Sequence, residues 1–382
     1  LGGLVLTLGT GCVSSSLKDA RRDYFNGNYQ KAADALADKE VADRDKALLL
    51  MERGMMRQAA GDYEGSSRDF IEAYEAIDNT VALSVTKDTA SMIINDNVQT
   101  FKGAPFERTL LHAFTAKNHL LQRNWDNAAV ESRRIINSLK PEMVKDYPED
   151  AYSRYMAGFG LSMIGDWSNA GLQYRLADQL APHLQIDERT GYITPGTNAP
   201  DNQAAFPPAN AGGHELVAFV LIGRSPTGNE LHQQHRPVAG AGYAEIFIDG
   251  QKAGRSYELT DTVDLAFTTK QKDVIREMAK TVSRIAIKEA TARSIEKDNA
   301  LMGAMYRVIM IGLLEQPDVR RWETLPRSLQ IARVPSPENP KDIEVRFTTG
   351  AGVVTRTLRF DGNLPANHRT RILVVRDSQP VL

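Results

Sequence analysis

A single thiol, Cys12, serves 382 residues, so no internal disulfide framework can hold this fold together and packing must do so. Strong charge of either sign is also missing. A formal net charge of -2 gives no clustered basic field of the kind a nucleic-acid partner requires, which leaves protein, peptide or wall polymer as the partner classes. No run of apolar residues is long enough to span a bilayer: the best candidate, Leu301 to Leu314, is shorter than the ~20 residues needed and contains Arg307. Familiar catalytic signatures are absent as well. There is no Gly-rich phosphate loop with Lys-Ser or Lys-Thr and no dinucleotide fingerprint. In Gly223-Arg224-Ser225-Pro226-Thr227-Gly228 the spacing after the serine is wrong for a nucleophile elbow. His232 and His235 lack a carboxylate or thiol to complete a metal site, and Pro237 ends any helix that would align them. No cofactor is expected, no metal, and no catalytic residue.

What the chain does have is an internal repeat. A short turn followed by an aromatic occurs at Asn28-Tyr29, Asp62-Tyr63, Asn124-Trp125 and Asp166-Trp167, and Tyr29 and Tyr63 are 34 residues apart. Nine residues before each aromatic stands a small residue: Ala20, Gly54, Ala116 and Gly158. Three residues after each stands another: Ala32, Ser66, Ala128 and Ala170. Two helices joined by such a turn can touch only where both carry small side chains, so eight small residues at eight expected places predict four helical hairpins. The period and pattern resemble tetratricopeptide (TPR) repeats. The spacing widens twice, through an atypical segment from Asn79 to Phe106 and a Pro-bounded loop from Pro141 to Pro148. In a TPR array the first helix of each hairpin lines a concave groove. The partner-binding face expected from the aligned turns is Met51, Met55, Lys117, Tyr152, Tyr155, Phe159 and Met163, with Leu48, Gln58, Ala113, Leu120 and Leu121 beside them. An apolar face this large calls for a peptide partner or for another part of the chain. His112, on a helix face in the place of a large aromatic, is expected to be packed or half-exposed, not a metal ligand.

Residues 1–12 form an apolar run that ends in small residues and then Cys12, which reads as the end of a signal peptide lacking its basic front. Gly11-Cys12 resembles a bacterial lipobox, although Gly9 stands where that pattern has leucine. The resemblance implies lipidation at Cys12. Ser14-Ser15-Ser16 would then be the tether.

After Pro182 the helical period stops. Residues 186–215 read as a linker between the helical array of 13–185 and a β-sheet domain of 216–382. Leu216 to Ile222 is continuously apolar, the mark of a strand buried on both faces. Tyr243 to Ile248 runs into the turn Asp249-Gly250, and four further strands follow at Leu329 to Val334, Ile343 to Phe347, Val353 to Phe360 and Arg371 to Val375. A helical hairpin is expected at about 270–315. Arg320-Arg321-Trp322, with Leu325-Pro326, is the most distinctive stretch of this half, and Trp322 is expected to fill the gap between that hairpin and the sheet.

The fold class expected is α+β multidomain: an all-α TPR-like superhelical array followed by a β-sheet domain with an inserted helical hairpin. Gly11-Cys12, Glu107 to Leu111 with Asn124 to Arg134, and Arg321 to Pro326 together resemble uncharacterised bacterial lipoproteins that carry TPR repeats and end in a β-rich domain. The resemblance implies a lipid-anchored outer-membrane protein facing the periplasm. Its expected role is a protein-interaction scaffold or assembly factor for an envelope or secretion complex. The alternative is a peptidoglycan-directed envelope enzyme or activator, with the second domain as the active part. A polar pocket there would favour the enzyme and a solid core the scaffold.

Overall fold

A computed structural model describes residues 11–39, 43–86, 100–140, 147–196, 213–237, 242–275, 319–362, 364, 366–367 and 369–378. The protein is mixed α+β, helical first and then largely strand. Among the described residues of the first half there are eight helices: α1 (Gly11–Phe25), α2 (Tyr29–Asp34), α3 (Asp43–Ala60), α4 (Tyr63–Thr86), α5 (Pro105–Leu121), α6 (Trp125–Ser138), α7 (Ala151–Ser162) and α8 (Trp167–Leu180). They pair in sequence as four hairpins. Each hairpin turns through a residue at positive φ, namely Gly27, Gly61, Arg123 and Gly165. Glycine adopts that conformation at no steric cost, whereas Arg123 adopts it with a side chain attached.

All eight small residues are buried at the seams. A Cβ on Gly158 would lie 2.9 Å from the Tyr174 ring and 3.1 Å from the Ala170 carbonyl, and one on Gly54 would lie 2.6 Å from the Phe70 ring. The aromatic after the turn behaves less uniformly. Tyr29 is buried, but Trp167 is 63% exposed and plugs nothing. In the atypical segment α4 runs on to Thr86, Ser91 to Asp96 lie outside the described residues, and Phe101 is buried with its N–H on the Arg44 carbonyl at 2.8 Å.

The stretch expected to be a linker begins as structure. Strands β1 (Leu184–Ile186) and β2 (Ile193–Pro195) form an antiparallel hairpin against α8, fastened by Ile186 N–H donating to Asp178 at 2.7 Å. The Gly, Pro and Asn content that suggests a linker comes mostly from residues after 196.

The second half is two sheets packed face to face. One orders β10 (Ala366–Asn367), β11 (Thr370–Arg376), β3 (Glu215–Ile222), β7 (Ser328–Pro335) and β6 (Tyr257–Asp261), with β11 parallel to β3 and the other pairs antiparallel. The other orders β5 (Gln251–Arg255), β4 (Tyr243–Ile248), β8 (Asp342–Thr348) and β9 (Val354–Asp361), all antiparallel. The chain crosses between sheets at Ser256, whose hydroxyl donates to Gln330 at 2.6 Å while accepting the Ala244 N–H at 2.8 Å.

Alternate side chains of β3 serve different cores. Leu216, Ala218, Val220 and Ile222 face the second sheet and meet Ile246, Val345 and Phe347. Val217, Phe219 and Leu221 face the helices, as do Leu329 and Ile331 of β7. A strand inside a three-layer stack has no solvent face, which is why its sequence is continuously apolar. After β6 a helix runs over 262–275, eight residues earlier than expected. Asp261 starts it by accepting the N–H of Val263 at 2.7 Å, an N-cap whose sequence reads equally well as a turn. The expected hairpin beyond residue 275 lies outside the described residues, and so does the side chain of Cys12. No described helix is long and apolar enough to cross a membrane.

Candidate functional site

The residues expected to line a groove lie on the first helices of the hairpins, α3, α5 and α7, or just after α7, and they are covered by the chain itself. Tyr152, Tyr155, Phe159, Met51, Met55 and Lys117 are fully buried, and Met163 is half-buried. Of the two occupants expected for these residues, a peptide partner or another part of the chain, the structure has the second: the face is covered by β3, β7 and β11 and by segment 320–326. Phe159 meets Phe219 edge-on at 5.8 Å, and the Tyr155 hydroxyl donates to the Gly191 carbonyl at 2.7 Å. Arg333 of β7 reaches the same region, paired with Glu215 at 2.7 Å and lying 4.9 Å from the Tyr192 ring. Burial opposes its charge, but the field of Tyr155, Glu215 and Tyr174 outweighs burial and holds its pKa well above the ordinary arginine value. The groove is filled because the sheet's inner face has apolar area of its own to bury.

Segment 320–326 enters the groove side chain by side chain. The Arg320 guanidinium donates to Asp45 at 2.6 Å. Trp322, completely buried, stands edge-on to Phe70 at 5.6 Å and to Phe114 at 5.7 Å, so it fills a box between α4 and α5; the hairpin expected beside it lies mostly outside the described residues. Its N–H points at Glu107 Oε1, 3.4 Å away, and Glu107 Oε2 accepts the Ala104 N–H at 2.8 Å at the start of α5. Arg321 NH2 lies 3.4 Å from the same Glu107 Oε1, an ion pair without hydrogen-bond alignment. Glu323 N–H donates to Glu52 Oε1 at 2.8 Å, and its carboxylate pairs with Arg21 at 2.9 Å. Arg21 in turn donates to Glu52 at 2.6 Å and to the Arg321 carbonyl at 2.9 Å. Burial raises the pKa of Glu323, and Arg21 opposes that rise.

A second polar group lies where β11 crosses the array. Arg376, buried, donates to the Tyr24 hydroxyl at 2.8 Å and to Gln58 Oε1 at 3.0 Å. Gln58 donates to Asn118 at 2.6 Å, and Asn118 donates to Ser66 at 2.9 Å, which extends the network across α3, α4 and α5. Lys117, the residue before Asn118 in α5, has no hydrogen-bond partner. Its ammonium lies 3.8 Å from the Phe114 ring centroid. Burial first, and the Arg376 charge second, push its pKa well below the ordinary lysine value.

Elsewhere the sequence candidates hold little chemistry. His112 is buried, hydrogen-bonded to Glu131 at 2.7 Å, with its ring tilted against Tyr74 at 4.3 Å. His232 and His235 are exposed, and no cluster of three metal-ligating side chains occurs among the described residues. Ser225 is buried, with its N–H on the Leu325 carbonyl at 2.7 Å. Sequence reasoning singled out Trp322 and the groove but did not join them. It gave no role to Arg21, Glu52, Glu107 or Arg376: the first three sit on first helices and Arg376 on β11, and nothing in the sequence pairs them. A scan against protein-family models and a search of curated proteins both return no match.

Proposed function

We propose that this chain is a lipid-anchored envelope scaffold or assembly factor, tethered to the outer membrane at Cys12 and working on the periplasmic side through protein contacts made by a TPR-like array. The observation that carries the reading is the array's grip on segment 320–326: carboxylates on first helices and an aromatic box between α4 and α5 hold a Trp-centred segment as a receptor holds a peptide. The second domain adds support, because the space between its sheets is filled by apolar side chains such as Leu216, Ile246, Val345 and Phe347. Such a core favours a scaffold over a peptidoglycan-directed enzyme.

Two measurements test the reading. Intact mass of protein extracted from membranes should show acyl chains on Cys12 and loss of residues 1–11, and an unmodified Cys12 overturns the anchor. A photo-crosslinking residue at Trp167, an exposed aromatic outside the filled groove, should capture a discrete envelope protein; no adduct above a buried-site control overturns the scaffold.

A further inference from the structure

Segment 320–326 is not needed to close the helical seams, which are made by the small residues of the hairpins themselves. It meets the groove as a separate ligand would: Arg320 on Asp45, Trp322 between Phe70 and Phe114, Glu323 on Arg21. The fit is also incomplete. Trp322 Nε1, Thr324 Oγ1, Arg321 Nε and Glu52 Oε2 are all buried without a hydrogen-bond partner. Glu52 Oε1 meanwhile serves both Arg21 and the Glu323 N–H. Buried polar groups left unpaired weaken an interface, so this occupant is held less tightly than its contact list suggests. The segment is tethered at one end to the sheet domain, where the Pro326 carbonyl accepts from Thr262 at 2.8 Å.

We propose that the concave face is a receptor for a short basic–Trp–acidic peptide segment of a partner protein, and that the chain's own 320–324 is its resident ligand, exchanged when the partner's segment binds. The site's chemistry sets the partner: a basic residue for Asp45, an indole for the Phe70–Phe114 box, and a carboxylate for Arg21. This rests on the scaffold reading above and names the partner class for the groove.

The probe is a fluorophore-labelled peptide, Arg-Arg-Trp-Glu-Thr-Leu-Pro, titrated by anisotropy against the full chain. Trp322→Ala vacates the box, and Glu323→Ala loosens the resident while leaving the indole in place. The Trp322→Ala chain, checked for a cooperative helical melt, should bind the probe saturably and roughly tenfold or more tighter than wild type, the scale of an anchor residue. A probe with alanine for tryptophan should bind weaker by a similar factor. If Trp322→Ala does not fold, the same ordering is expected for Glu323→Ala against wild type. A folded variant without saturable binding, or binding indifferent to the probe's tryptophan, overturns the proposal. That failure with Trp167 crosslinks intact removes only the groove receptor; absent crosslinks with intact peptide binding remove only the outer scaffold contact.

Discussion

At the scale of the residue, Lys117 is a buried amine with no hydrogen-bond partner. Burial first, and the Arg376 charge second, hold its pKa well below the ordinary lysine value of 10.5 that applies in the unfolded chain. Its folded pKa is depressed, so the unfolded state binds more protons between the two values and stability should rise with pH on the alkaline side up to the ordinary lysine value. Lys117→Met keeps the stem and removes the amine. We expect it to stabilise by about 1–3 kcal/mol at neutral pH, the cost of an unpaired buried group, and to flatten the dependence of the melting temperature on pH above neutral. An unchanged pH slope would show that Lys117 is not neutral in the fold. Trp322 is the opposite case, a large side chain with its ring fully packed.

At the scale of the element, the helical hairpin depends on close approach. Gly158 has the Tyr174 ring and the Ala170 carbonyl where a Cβ would go, one a side chain and the other backbone that cannot move far. Gly158→Leu is expected to cost ~1–3 kcal/mol or more by overpacking, read as a lowered denaturant midpoint. Gly350→Ala is the matched control, because nothing lies within 4 Å of the added atom, and it should stay within about 0.5 kcal/mol of wild type. Equal effects at the two sites would mean that the seam is not tight. Helix and strand placement was largely legible here. The small-residue spacing located the four hairpins, and β4, β7, β8, β9 and β11 fall where alternating and apolar runs put them. The start of the helix at 262 was not legible, since an Asp that caps and an Asp that turns look alike until the following N–H groups are placed.

At the scale of the whole molecule, the five-stranded sheet is shared between two cores, and the helices and the sandwich should melt as one unit. Phe219→Ala removes a ring that stands on Phe159 across the junction, with an expected cost of ~3–5 kcal/mol. Helical circular dichroism and the hydrogen-exchange protection of strands β4 and β8 should be lost together in that variant. Two separated transitions would show that the halves are independent domains.

The sequence by itself determined the repeat, the order of helices before strands, and the double-sided burial of β3, because each of these depends on neighbours within a few residues or on a fixed period. It also picked out both partners of the central contact: the apolar face of the first helices, and the Arg-Trp-Glu segment about 200 residues later. That they meet was decided only by tertiary structure. Period and composition say that a face must be covered. They carry no information on which distant surface has the matching shape and charge, and only the folded chain brings Glu52 and Glu107 to the backbone N–H groups of residues 322 and 323.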